Sequence, residues 1–79
     1  MERKEIVEKL VLIIRRAAFR ADVVCLSEED DFKDTLGLDS LDMTAIAMRC
    51  EKEFGICFNG EELKIRKVGD LVDFIQGLN

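Results

Sequence analysis

One hydroxyl stands out among the groups able to do chemistry. Ser40 lies in Leu36-Gly37-Leu38-Asp39-Ser40-Leu41-Asp42, where a glycine inside an apolar run is followed by Asp-Ser and then by a helical pattern from Leu41 onward. A serine there stands at a helix N-terminus, where backbone N–H groups and the helix dipole favour an anion. A phosphodiester on Ser40 is well placed electrostatically, although the Asp39 and Asp42 carboxylates oppose it. Those two suit a metal ion, or the Arg and Lys groups of a second protein. On local sequence alone a plain N-cap is the favoured reading, because Ser is a preferred capping residue. Hydrolysis by Ser40 has no support: the chain contains no His, so neither a Ser-His nor a Cys-His pair can form. Cys25, Cys50 and Cys57 are odd in number and lack Cys-x-x-Cys spacing, which indicates neither a full disulfide framework nor a zinc site. They read as buried free thiols in a reducing cytoplasm.

A scaffold must position that hydroxyl, and 79 residues suffice for a single domain over 1–79. Burial at this size is marginal, so most apolar positions must join one core. Hydrophobic residues make up 48% and charged residues 37%, and proline is absent, which favours a compact helical protein over a disordered chain. Twelve basic against seventeen acidic residues give a net charge of −5, which argues against nucleic acid and suits basic protein partners. The opening Met1-Glu2-Arg3-Lys4-Glu5 has no long apolar core behind it and no segment approaches a membrane span. A cytoplasmic protein without membrane insertion is expected.

From Glu2 to about Arg20, apolar residues from Ile6 to Ala18 fill one arc of about 160°, predicting an amphipathic helix that leaves Leu12 and Phe19 off its arc. Residues 21–39 form a long connection that needs pinning, with Val23, Val24, Leu26, Phe32, Leu36 and Leu38 available for it. Within it, Ser27-Glu28-Glu29-Asp30-Asp31 reads as a solvated acidic bend. It lacks the ligand alternation, central Gly and terminal Glu of a helix-loop-helix calcium site. The second helix runs from Ser40 or Leu41 to about Phe54 and stops at Gly55, with Met43, Ile46, Ala47, Cys50 and Phe54 as its core stripe. Leu41, Ala45 and Met48 fall about 140° to 200° around from that stripe, an apolar face suited to docking a partner. Asn59 with Glu62 looks like a variant capping box for a short helix over Glu61 to about Ile65, with Leu63 and Ile65 as buried contacts. A last helix starts near Val68 and places Val68, Leu71, Val72, Ile75 and Leu78 at helical spacing. The expected fold is all-α: a four-helix bundle with three longer helices, one short helix and a long first loop.

Leu36-Gly37-Leu38-Asp39-Ser40-Leu41-Asp42, then Glu51-Lys52-Glu53-Phe54-Gly55-Ile56 and Val68-Gly69-Asp70-Leu71-Val72, together resemble the acyl carrier proteins of fatty acid and polyketide synthesis. The resemblance spans nearly the whole chain and is densest over 32–75. It implies 4'-phosphopantetheine attached to Ser40 by a separate transferase that uses coenzyme A and Mg²⁺, with Asp39 helping to bind that transferase's metal. It implies a carrier and not an enzyme, holding acyl groups as thioesters on the arm and sheltering them between helices. Helix 2 and the loop before it would meet the transferase and the acyl-chain synthesis or acyltransferase enzymes through Asp39, Leu41, Asp42, Met48 and Glu51, with the carrier a monomer.

Three departures bear on partner choice and stability. Arg49 and Lys52 interrupt a helix that is strongly acidic in carriers of bulk fatty acid synthesis, and Ala45 occupies a position that is often acidic there. Lys67 replaces the Thr that commonly caps the last helix, a loss expected to cost about 1 kcal/mol and to loosen that end. A peptidyl or aminoacyl carrier is the nearest alternative, but those more often show Gly-Gly-(His or Asp)-Ser at the site. An unmodified interaction module using the Leu41/Ala45/Met48 face is the alternative of a different class.

Overall fold

The computed structural model describes residues 1–77. Three α-helices follow in order, α1 (Arg3–Ala17), α2 (Ser40–Phe54) and α3 (Val68–Gln76), with one turn of 3₁₀ helix (Glu61–Lys64) before α3. The described residues hold no strand, only an isolated antiparallel bridge between Asp31 and Lys67. The architecture is thus the expected all-α one, with the short fourth helix reduced to a single 3₁₀ turn.

The core forms where the apolar stripes of the three helices converge. Ile6, Leu10, Ile13 and Ile14 come from α1, Met43, Ile46, Ala47 and Cys50 from α2, and Val68, Leu71 and Val72 from α3. Phe58, from the segment after α2, fills the space between them and stacks on Phe74 with centroids 4.7 Å apart and rings 14° from parallel. Phe54, last of the predicted α2 stripe, is half-buried.

Helix α1 ends earlier than the periodicity predicts. Ala18 still donates to the Ile14 carbonyl, but Phe19 takes φ 54°, a left-handed conformation unusual for a bulky residue, and is 90% exposed. Arg15 explains the reversal, because its guanidinium donates to the carbonyls of Ala21 and Val23 and draws the chain back along the helix. Leu12, also off the predicted arc, is 60% exposed.

The long connection is pinned as its length requires. Val23, Phe32 and Leu38 are buried, Leu26 and Leu36 are half-buried, and Val24 faces solvent. Residues 31–37 form one helical turn opened by Asp31, whose carboxylate accepts from the N–H groups of Lys33 and Asp34, both at 2.8 Å. These bonds hold the Asp31 carboxyl below the usual carboxylate range. The acidic bend before it is a structural joint as well as a solvated one. The carbonyls of Glu28 and Asp30 accept from Gly69 and Val68, each at 2.9 Å, and Arg3 binds the Glu28 carboxylate together with Asp73 and Gln76 of α3.

Several local expectations are corrected. The 3₁₀ turn has Gly60 as its N-cap with no side-chain capping bond, and Asn59, at φ 52°, accepts from the Cys57 thiol instead. With a single turn there is no buried face to fill, so Leu63 is 61% exposed and Ile65 half-buried. Of the three free cysteines only Cys50 is buried, and that burial pushes its thiol up to about 12; Cys25 and Cys57 are exposed. Lys67 does not leave α3 uncapped, because loop carbonyls bind its first amides and Asp70 accepts from the Lys67 N–H at 3.1 Å. Leu78, the last position predicted on α3, lies outside the described residues.

Candidate functional site

Helix α2 begins at Ser40, yet Ser40 is not its cap. Asp39 is the N-cap, in extended conformation, and one of its carboxylate oxygens accepts from the Asp42 N–H at 2.9 Å. Asp42 returns the bond, its carboxylate accepting from the Asp39 N–H at 3.2 Å. This reciprocal capping box fixes the start of the helix without using the serine. Ser40 is therefore the first helical residue, exposed, with its hydroxyl outside the cap. Neither the Ser40 nor the Leu41 N–H has a partner among the described residues, so the helix presents two free donors beside that hydroxyl. The Thr44 hydroxyl donates to the Ser40 carbonyl at 3.0 Å and ties down the first turn.

The loop reaches this point along a controlled path. Gly37, at φ 69°, turns the chain after the 31–37 turn, and Leu38 is buried immediately before Asp39. The Leu38 N–H donates to the Phe32 carbonyl, and Arg20 donates to the Leu36 carbonyl. An apolar anchor two residues ahead of Ser40 thus holds a residue that itself faces solvent.

Beside Ser40 opens a cleft of about 540 Å³ between the start of α2, the 31–37 turn and the 3₁₀ segment. Leu38, Met43, Leu63 and Ile65 give it apolar walls, and Lys33 and Arg66 stand at its polar side together with the carboxylates of Asp31 and Asp39. Arg66 lies 3.7 Å from Asp31, and Lys33 makes no ion pair with a described residue. An apolar-walled cleft with cations near a free hydroxyl fits a group that is anionic where it is attached and carries a longer chain beyond. No group of three or more His, Cys, Asp or Glu among the described residues is arranged to hold a metal ion.

The remaining residues singled out from sequence separate into two sets. Asp39 and Asp42 flank Ser40 and each keeps one carboxylate oxygen outside the capping box. Leu41 is 79% and Met48 61% exposed, with Ala45 half-buried between them, so the outward apolar face of α2 is present. Glu51 differs: its carboxylate accepts from the Phe58 N–H at 2.9 Å and secures the segment that carries Phe58 into the core. Sequence reading missed that task because no local pattern announces a bond from a helix to a loop seven residues on. It also missed Lys33, Leu63 and Arg66 beside Ser40. Their sequence positions gave no such signal, since only the packing of loop on 3₁₀ turn brings them there.

No helix of the described residues is long and apolar enough to cross a membrane. A family model described as the phosphopantetheine attachment site matches residues 8–75. Its members carry 4'-phosphopantetheine covalently on a serine. Matched from within α1 to the last turn of α3, this chain belongs to the family of phosphopantetheine carrier domains.

Proposed function

We propose that Ser40 is the attachment serine and that the chain, as a single domain, carries acyl intermediates for fatty acid, polyketide or specialised lipid synthesis. One observation supports Ser40 most strongly. The chain has only two serines, and the hydroxyl of the other, Ser27, accepts from the Glu29 N–H inside the acidic bend, whereas Asp39 performs the capping that would otherwise occupy Ser40. The arm, when attached, supplies a terminal thiol that holds an acyl group as a thioester. The chain's own residues do the rest. The free N–H groups of Ser40 and Leu41, with Lys33 and Arg66 nearby, offset negative charge at the attachment point. Leu38, Met43, Leu63 and Ile65 offer apolar cover, and Asp39, Leu41, Asp42 and Met48 form the exposed surface a transferase or acyl-processing enzyme meets. Asp39, with one carboxylate oxygen outside the cap, is the residue suited to a transferase's Mg²⁺. Acyl cargo is favoured over a peptidyl or aminoacyl one because Gly37-Leu38-Asp39-Ser40 stands where those carriers more often have Gly-Gly-(His or Asp)-Ser.

A second reading rests on the exposed Leu41 and Met48: an unmodified module that acts by docking alone. The two separate by intact-protein mass after incubation with coenzyme A, Mg²⁺ and a broad-specificity transferase, with Ser40→Ala and Ser27→Ala controls. One added phosphopantetheine, lost in Ser40→Ala and kept in Ser27→Ala, is the expected result. No gain by folded, unmodified protein while a known carrier loads in parallel would transfer the function to the α2 face alone.

A further inference from the structure

Where α1 packs on α2, a groove of about 290 Å³ runs between the helices. Lys9, Leu12 and Arg16 line its α1 side, and Arg49, Lys52 and Glu53 its α2 side. The spacing i, i+3, i+7 puts the first three on one face of α1, and i, i+3, i+4 does the same for the α2 set. Leu12, which the periodicity of α1 leaves off the core arc, is 60% exposed at this groove. Glu53 pairs with Lys9 at 3.1 Å. Arg16, Arg49 and Lys52 have no ion-pair partner among the described residues.

The charge distribution gives the groove its meaning. A chain of net charge −5 gathers four cations and one carboxylate around one exposed leucine. Converging cations repel one another, and an anion arriving from outside relieves that repulsion. We infer that the α1–α2 groove docks an acidic amphipathic segment of a partner protein, whose carboxylates pair with Arg16, Arg49 and Lys52 while one apolar side chain covers Leu12. A lipid surface suits the site less well, because interfacial binding needs a broad apolar helix face and this one offers a single leucine in a concave setting. Nucleic acid is opposed by the charge of the whole chain.

The groove is separate from Ser40. Arg49 follows Ser40 by nine residues, which at 100° and 1.5 Å per residue is half a turn around α2 and about 13 Å along it. A segment in the groove leaves the hydroxyl reachable, so this docking adds a second point of attachment to an enzyme engaged at Ser40 and raises its local concentration there.

The test is titration of the isotope-labelled full chain with a Glu-rich helical peptide of about twelve residues bearing one central leucine, long enough to span the groove. Saturable amide shifts are expected at Leu12, Arg16, Arg49 and Lys52, and Arg16→Glu with Lys52→Glu should weaken binding by about tenfold or more. Leu12→Gln, a single exposed change, is the second variant and should weaken binding by about threefold. Circular dichroism of each variant reports folding independently of the groove. The inference is overturned by the absence of saturable shifts, by equal shifts at Lys4, Lys33 and Lys64, or by binding that folded variants leave unchanged. Tighter association with phosphatidylglycerol vesicles than with the peptide would also overturn it.

Discussion

Helices α2 and α3 open in opposite ways. The first residue of α2, Ser40, is exposed, and its N–H and that of Leu41 are without partners among the described residues; the cap is local, made by Asp39 and Asp42. The first residue of α3, Val68, is 0% exposed, and its N–H and that of Gly69 are bound by the carbonyls of Asp30 and Glu28, far away in sequence. Gly69 suits that joint, because a Cβ there would stand 3.1 Å from the Glu28 carbonyl oxygen. One helix start is closed by the tertiary structure and serves stability. The other is held from its flanks and left open, which is what the attachment proposed at Ser40 requires.

Truncating the two first residues gives the widest separation. Val68→Ala removes buried methyl groups and should cost about 2–3 kcal/mol in urea unfolding. Ser40→Ala should stay within about 0.5 kcal/mol of wild type while abolishing loading. A Ser40→Ala protein destabilised as much as Val68→Ala would mean that the hydroxyl is a structural element, and the contrast between the helices would fail.

Next in size is the local cap. Asp39→Ala should cost about 1 kcal/mol and speed amide exchange in the first turn of α2, whereas Asp39→Asn, an equally good cap, should cost a few tenths at most. Because Asn keeps the cap and removes the charge, transferase loading of Asp39→Asn measures the carboxylate's part in recognition apart from its part in folding. Equal stability loss in both variants would show that charge, and not capping, governs this end.

A smaller effect belongs to the α3 joint and appears on acidification. Its hydrogen bonds from Arg3 hold the Glu28 carboxyl below the usual carboxylate range. A carboxyl whose pKa is lower in the folded state stabilises above its unfolded pKa of about 4, and that contribution disappears as pH falls through the folded value. Glu28→Gln should therefore lower stability at pH 7 and make the decline below about pH 4 shallower. Arg3 and Glu28 are each a third or more exposed, so solvent screening keeps the effect modest. An unchanged acid profile would remove Glu28 from the joint.

The same contrast explains what was legible in the sequence. The α2 end is written locally: the Met43/Ile46/Ala47/Cys50 stripe, Gly55 as the stop and the outward Leu41 and Met48 are all where the periodicity put them. The capping pair was present in the sequence too, but Ser, Asp and Asn are comparable caps, and only the backbone decides that Asp39 takes the role. Structure made by bonds between one segment and another was not legible. The Arg15 clamp that ends α1 early, the Glu51 bond to the Phe58 N–H and the loop carbonyls on α3 join residues whose proximity no local pattern encodes. Thiol burial failed for Cys25 and Cys57 because composition cannot tell which cysteine falls on a core stripe; only Cys50, on α2, does.

Lys67 provides the smallest test and the sharpest statement of the difference. By residue type it is a poor cap, and a Thr in its place would ordinarily add about 1 kcal/mol by accepting from the second or third helical N–H. Here the second, that of Gly69, already bonds the Glu28 carbonyl at 2.9 Å, and the third, that of Asp70, bonds the Lys67 carbonyl at 3.0 Å. A new hydroxyl would compete for donors already engaged, so Lys67→Thr should gain less than about 0.5 kcal/mol. The Lys67 ammonium also lies 3.8 Å from the Glu29 carboxylate, an exposed contact worth little, so its loss should not mask that result. A gain of the full capping value would mean that the loop does not close α3 in solution. The two helix starts would then be alike, and the openness of Ser40 would no longer set it apart.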